Sequence, residues 1–535
     1  MDVVLALACT AALTALIWCQ RRLRARRLGA PHPLHAVPGP AADTFLAGNL
    51  ARLHGPDGWD FHAQLERDFR PGVVKIHGLA GSLQLYVYDP VALHSILVKD
   101  AESYEEGLVF LSLTRVLFGT GILSTTGATH RRHRKIMMPA FSPKHLRGMV
   151  PALYEVACRL RDGLVIPQIK DGVSSEIDLY PCLSRVSLEF IGRAGADHSF
   201  DPLSSIEDPT DNYTRSLKAI TPCVHKLAVL LPFVPLLANR VSPWLRRALI
   251  RVVPRQTSLG TLCDAVRVTD RRATELVHRA REGASQEHRH DVLSLLMQDT
   301  EDDESPLMTE ELVAQISMIV QAGTDTTSSA LNRVILVLAL NPEIQERLRA
   351  ELLRHDERMD HDVLVQLPYL DAVVRETLRL YPPITAMSRT TTRECILPLS
   401  EPLTDTRGQK MNQIRVPQGT DVYIAIAGAN HNPAVWGHDA LEFNPERWLV
   451  PGSEPSSKWP SSGVFGDMMT FLGGNRSCIG FRFAQLEIKI VLAVLLRSFK
   501  LSVSHPQRIS WKMGSPAEPM VDGKAALPIV VERLY

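Results

Sequence analysis

The sequence predicts a mainly α-helical fold with small β-sheets, carried behind an N-terminal transmembrane anchor. Three observations predict it. Residues 3–19 form an uncharged, almost wholly apolar run, and Arg21, Arg22, Arg24, Arg26 and Arg27 follow it. Segments with helical periodicity fill most of the remainder, the longest being the apolar stretch 306–340. The β-rich runs are short and bounded by turn residues, as in 72–89.

The anchor is assigned to residues 1–20. Seventeen apolar residues are the short end of a spanning helix. A cleaved signal peptide is the rival reading, but it places basic residues before its apolar core. Here Asp2 precedes the run and the arginines follow it. That asymmetry puts the rest of the chain on the cytosolic side. A thin bilayer such as that of the endoplasmic reticulum suits a short span. Residues 21–40 come next, basic and then proline-rich, with Pro31, Pro33, Pro38 and Pro40. Prolines at this density stop a helix and favour an extended spacer. Residues 41–535 are left as one catalytic body, since no linker divides them.

Within that body, 72–89 reads as a β-hairpin around a glycine-rich turn. The stretch 306–340 is apolar on nearly all sides and is expected to run through the core as one helix. "NPEIQERLRAEL" reads as an exposed amphipathic helix. "LDAVVRETLRLYPP" reads as a helix stopped by Pro382 and Pro383. A last helix is expected from near Cys478 through "IGFRFAQLEIKIVLAVLLRSF".

The bulk figures narrow the function. A net charge of +1 gives no electrostatic reason to expect nucleic acid as a partner. The eight cysteines make no CxxC pair, which argues against a zinc ribbon or a thioredoxin-type site. Their irregular spacing suits reduced thiols in a cytosol-facing body.

One cysteine stands apart. "FLGGNRSCIG", residues 471–480, places Cys478 beside Arg476, among three glycines, at the head of a helix. Free N–H groups and the dipole there favour an anion and lower a thiol pKa. Gly474 and Gly480 let the backbone turn tightly and let a flat ligand come close. The alternative is a glycine-rich turn with an incidental buried thiol. Yet Phe471, Gly474, Arg476, Cys478 and Gly480 form a five-position pattern that average composition produces in about one such chain in ten thousand.

That pattern is F-x-x-G-x-R-x-C-x-G, and through it the chain resembles the cytochrome P450 family, whose haem-binding signature it matches at all five positions. The resemblance implies haem b with Cys478 as axial thiolate, a ligand that pushes electron density onto iron and favours O–O cleavage. Other motifs follow in family order. Glu376 and Arg379 of "ETLR" sit one helical turn apart and match E-x-x-R, with Arg447 of "FNPERW" as the expected third member. Trp448 stands where many relatives carry phenylalanine. "AGTDTT" interrupts the long helix. Its hydroxyls can bend the helix, and a buried Asp needs a partner or a role. By resemblance, Ala322 and Gly323 form the oxygen-binding groove, and Asp325 and Thr326 the acid–alcohol pair that relays protons. In "HRRHRK", His130 and Arg134 occupy the places of a propionate-binding pair. Arg389 and Arg476 supply two further propionate contacts, so that three guanidiniums meet two carboxylates. Arg131, Arg132 and Lys135 are expected to face a flavoprotein donor.

The anchor and hinge resemble the microsomal type, and "HRRHRK" with "AFSPKHLR" most resembles fungal members. The implied activity is a monooxygenase that inserts one atom of O2 into a hydrophobic small molecule. Electrons come from a separate NADPH–cytochrome P450 reductase, with cytochrome b5 as a second donor. Secondary metabolism with a terpenoid substrate is the first expectation; fatty acids, aromatic polyketides and xenobiotics stay open. A haem isomerase or dehydratase that dispenses with O2, and a non-enzymatic haem carrier, are the rival functions.

Overall fold

The structure is a computed structural model and describes residues 32–170, 172–206, 212–240, 253–282, 291–298, 307–450, 458–460 and 462–534. The expected anchor, and the hinge up to residue 31, lie outside the described residues. The rest of the hinge does not stand free. Leu34 and Val37 are fully buried, and Lys75 N donates to Pro38 O at 2.9 Å. Their apolar side chains gain more in the core than an extended spacer would leave them.

The principal helices are α1 (Trp59–Asp68), α2 (Leu108–Phe118), α3 (Gly127–Met137), α4 (Pro143–Arg159), α5 (Leu179–Ala196) and α6 (Asn212–Lys226). They continue with α7 (Ser258–Glu282), α8 (Thr309–Leu340), α9 (Pro342–Leu352), α10 (Pro368–Leu380) and α11 (Phe481–Ser498). The strands are β1 (Val73–His77), β2 (Leu83–Val87), β3 (Tyr104–Glu106), β4 (Ser174–Asp178), β5 (Ala386–Thr391), β6 (Cys395–Thr404) and β7 (Lys410–Val416). After them come β8 (Asp421–Ala425), β9 (Phe499–Ser502), β10 (Ser510–Lys512), β11 (Glu518–Val521), β12 (Lys524–Ala525) and β13 (Pro528–Arg533).

The expected hairpin forms as β1 and β2, antiparallel from Val73 opposite Val87. It belongs to a five-stranded sheet ordered β1-β2-β8-β5-β3. Three small sheets, β10-β11-β12, β4-β13-β9 and β6-β7, complete the β content.

Helix α8 is the axis of the helical half. It runs unbroken for 32 residues, roughly 48 Å at 1.5 Å per residue. Glu311 in its first turn accepts from Met308 N at 3.0 Å and caps the start. Thr324 and Thr326 return their hydroxyls to the carbonyls of Val320 and Ala322 at 2.7 and 2.8 Å, and the helical ladder continues past them. Helix α10 starts on Pro368. The Glu351 carboxylate of α9 accepts from Tyr369 N and Leu370 N at 2.9 and 2.8 Å, so one helix caps another.

Two large apolar cores and a small third cluster, Leu117, Ile220, Cys223, Leu262 and Ala265, result among the described residues. A helical core gathers α4, α5, α8, α10 and α11. A sheet core gathers β1, β2, β6 and β8 with residues 34 and 37. The loop that carries Cys478 lies between them. Met469 and Leu472 belong to the sheet core, whereas Phe471, Ile479 and Phe481 pack on the helical core.

Candidate haem site

The cysteine loop is held by backbone bonds and close approach. Cys478 N donates to Phe471 O at 2.9 Å and Ser477 N to Gly474 O at 3.2 Å, closing a tight turn ahead of α11. Gly474 has φ +64°, and a Cβ there would lie 1.8 Å from Leu97 O. The glycine therefore lets the loop dock on the chain before β3; the expected clearance for a flat ligand is not what requires it. Gly480 differs, because a Cβ there would meet nothing closer than Phe141 at 3.8 Å. Phe471 packs edgewise on Phe465 and tilted on Phe481.

Cys478 is the one exposed thiol among the six described cysteines. It is exposed without being peripheral. Burial among protein atoms pushes its thiol above the ordinary value, with the Gly480 N–H and the Arg134 guanidinium pulling it down. A sulfur that is both accessible and desolvated faces an internal hollow. The helix-head argument for a low thiol pKa therefore does not prevail in the protein alone, because desolvation outweighs two favourable contacts.

A chain of cations leads away from this sulfur, beginning with Arg134, which acts on it directly. Arg134 of α3 donates to Ser477 O and Ser477 Oγ, both at 2.8 Å. Arg476 donates to Glu105 Oε1 at 2.6 Å and to Thr125 O at 2.9 Å. Arg389, 1% exposed, pairs with Glu106 at 2.9 Å and leaves its buried Nη2 without a hydrogen-bond partner. His130 is held down to about 4 by burial, then by Arg476 and Arg134, so it is neutral near pH 7. Beside the loop a groove of about 550 Å³ opens, lined in part by His130, Arg131, Arg134, Lys135 and Asn475. Arg132 is placed differently from Arg131 and Lys135. It is drawn to Glu311, which also holds His133 at 3.0 Å and so ties α3 to the start of α8.

Helix α8 passes through the helical core, yet Ala322 is exposed at its midpoint, with Gln321, Gly323, Asp325 and Thr326 half-buried around it. Gly323 makes room for α5, since a Cβ would lie 2.9 Å from Ile191 Cδ1. Asp325 and Thr326 do not bond to each other. Asp325 Oδ2 accepts from Gln321 Nε2 at 3.0 Å and Thr221 Oγ1 at 3.3 Å, whereas Thr326 Oγ1 is turned to Ala322 O. Consecutive helical residues point about 100° apart, so the two groups serve different faces. Burial, then the Glu518 carboxylate, push Asp325 up to about 6.

The structural cluster is complete. Glu376 and Arg379 are fully buried and paired through two bonds of 2.8 and 2.7 Å. Arg447 Nε lies 3.5 Å from Glu376 Oε1, and Arg447 also pairs with Asp439 at 2.7 Å. Trp448 is more than a variant of phenylalanine here, because its indole N–H donates to Glu376 Oε2 at 3.0 Å. Trp448→Phe is therefore expected to cost about 1–2 kcal/mol, read as a lower urea midpoint at unchanged slope.

Sequence reasoning missed Glu105, Glu106 and Glu311. For Glu105 and Glu106 the available signal is a pair of adjacent acids immediately ahead of the apolar run that follows Gly107.

The cytochrome P450 family model matches residues 38–521. The chain belongs to the cytochrome P450 family. Among curated relatives, cytochrome P450 monooxygenase 91 of Postia placenta is 40% identical, covering 98% of each chain. Cytochrome P450 monooxygenase 81 of the same fungus is 39% identical over 95% of this chain and 94% of its own. Ganoderic acid synthetase of Ganoderma lucidum is 34% identical over 93% of each. The chain is thus a cytochrome P450 monooxygenase, a haem-thiolate enzyme with an axial cysteine that takes electrons from redox partners and acts on small molecules.

The residues present fit haem. An accessible sulfur faces an internal hollow, and a buried guanidinium nitrogen has no partner within the protein. Among the described residues no three His, Cys, Asp or Glu side chains gather to hold a metal by themselves. Among the described residues no single helix is long and apolar enough to cross a membrane.

Proposed function

We propose that this P450 uses Cys478 as its axial ligand and inserts one oxygen atom from O2 into a lipophilic, terpenoid-like small molecule in fungal secondary metabolism. The observation that carries the reading is Cys478 itself, accessible yet desolvated, with Arg134 acting on its sulfur, His130 and Arg476 beside Arg134, and Arg389 next to Arg476. Cys395 is the weaker candidate: it is buried in the sheet core, and its sulfur is 3.2 Å from Tyr104 Oη.

Bound haem would supply dioxygen activation, with the thiolate as electron donor. The chain's own residues do the rest. Cys478 would hold the iron as a thiolate, and the iron's charge would favour loss of a proton that the desolvated thiol otherwise keeps. Arg134, Arg476 and Arg389 would hold the propionates, with His130 neutral beside them, and Phe471 and Gly480 flank Cys478 in the chain. Ala322 leaves the middle of α8 open, while Gly323 lets α5 pack close beside it. Asp325, poised near neutral pH, takes and gives a proton at its carboxyl, and the Thr326 hydroxyl accepts one on the adjoining face. Because they are not bonded to each other, a water or a rotation of Thr326 completes the relay. Glu376, Arg379 and Arg447 hold the fold around the loop.

NADPH–cytochrome P450 reductase is the proposed electron donor, with cytochrome b5 as a second, docking on the groove of Arg131 and Lys135. Residues 1–20 anchor the chain once in the endoplasmic reticulum membrane, with residues 41–535 in the cytosol. The apolar α2, with Leu108 and Val116 exposed, supports a lipophilic substrate. So does the relative named for ganoderic acid, a terpenoid.

The test is the carbon monoxide difference spectrum of the reduced protein, followed by feeding terpenoids to a host expressing the chain with a reductase. A thiolate-type Soret band with new oxygenated products supports the reading. Turnover without NADPH or reductase would move it to an isomerase.

Asp325→Asn separates stability from activity. The folded-state value of about 6 lies about two units above the ordinary 3.8. The stability Asp325 contributes is thus fully present below pH 4 and lost as pH rises through 6, up to about 3 kcal/mol. Asp325→Asn is expected to raise the melting temperature above pH 6 while monooxygenation falls. A melting temperature that tracks wild type at pH 5 and pH 8 alike would refute the assignment.

A further inference from the structure

The end of the site that receives the cofactor's two carboxylates already contains two carboxylates of its own. Glu105 and Glu106 are consecutive residues at the end of β3. Glu106 stands directly opposite Arg389 across the β3–β5 pair. Its Oε2 accepts from Arg389 Nη1 at 2.9 Å, with both side chains buried. Arg389 Nη1 also donates to Ser388 O at 2.9 Å, and Nη2 has no partner in the protein. Glu105 takes Arg476 at 2.6 Å. Arg134, the third guanidinium, is held by neutral oxygens of Ser477. The three arginines thus do not offer three free charges; two are already answered within the chain.

Elementary electrostatics says why. A buried guanidinium with no counter-charge costs several kcal/mol. Three of them facing one hollow would oppose folding of the cofactor-free chain. A carboxylate in place beforehand removes that cost. It also remains when a second carboxylate arrives, and two like charges then share one guanidinium.

We propose that Glu105 and Glu106 are built-in counter-charges that neutralise Arg476 and Arg389 before the cofactor's carboxylates arrive, and that Glu106 thereafter competes with one of them for Arg389. The inference rests on the haem reading above. Glu106 is a positioning residue acting through Arg389. Its chemistry differs from a mere staple between β3 and β5, because a staple would slow cofactor loss and a competitor hastens it.

Glu106→Gln keeps the shape and the acceptor oxygen and removes the charge. Holoproteins loaded with haem or with haem dimethyl ester are mixed with excess apomyoglobin, and cofactor transfer is followed. Glu106→Gln is expected to release haem about tenfold more slowly than wild type. Release of the dimethyl ester, which has no free carboxylate, is expected to stay within about twofold of wild type. Unchanged or faster haem release, or an equal effect on both cofactors, overturns the proposal. Should Glu106→Gln fail to fold, Glu105→Gln, at a partly exposed position, is expected to shift the same ratio in the same direction, and no shift overturns it. The carbon monoxide spectrum reports the thiolate separately, so its absence in wild type would sink the haem site and not this inference alone.

Discussion

Cys478→Ala is expected to yield a protein with no thiolate-type Soret band and no retained haem, whereas Cys395→Ala keeps both. The contrast follows from where the two sulfurs lie. Cys395 is buried in β6 against Tyr104, with no open face, so its loss removes one small packing contact worth about 1 kcal/mol. Cys478 faces the hollow, and no other described thiol is exposed to replace it. Serine is not expected to rescue it, since a hydroxyl in the same desolvated place ionises far less readily than a thiol. The measurement is the absorption spectrum of each purified variant, oxidised and then reduced under carbon monoxide. Retained thiolate ligation in Cys478→Ala would reassign the ligand.

Arg379→Met is expected to abolish folded holoprotein. The Arg379 guanidinium grips both oxygens of Glu376 and donates to Asn430 O at 2.8 Å, Ala440 O at 2.6 Å and Glu442 O at 3.2 Å. Methionine removes the bidentate partner of a fully buried carboxylate, leaving it Trp448, Asn444 N and the more distant Arg447, at a cost of about 3 kcal/mol, and each unanswered carbonyl adds about 1 kcal/mol or more. Against a whole-domain stability of roughly 5–15 kcal/mol, that sum leaves little folded protein. Arg379→Lys is not expected to restore it, because an ammonium cannot reach five acceptors in a planar fork. Yield of soluble, haem-containing protein reads the outcome, and a normal yield of either variant would contradict it.

What the chain shows in sequence follows from how local each signal is. The hairpin at 72–89 and the helices around α8 and α10 are visible because periodicity and proline act over a few residues. The cysteine loop is visible because five of its positions are fixed within ten residues. The sheet order is not, since β2 lies parallel to β8, from a distant part of the chain, and no local rule pairs them. The same distance hides Glu106 from Arg389 and Glu311 from Arg132. The expectation for Trp448 looked only at its ring, and the indole N–H had a task of its own. Asp325 and Thr326 are neighbours in sequence, but helical geometry turns them to separate partners.

The loop between the two cores has a consequence for cooperativity. Its residues are divided, Met469 and Leu472 on the sheet side and Phe471, Ile479 and Phe481 on the helical side. A ligand seated on Cys478 that also engages Arg389 of the sheet and Arg134 of the helices therefore acts as a rivet through the seam. Its binding energy is spent on coupling as well as on stability. Loaded, the protein is expected to unfold as one unit in a calorimetric scan; emptied, its sheet half and helical half are expected to melt in separate steps.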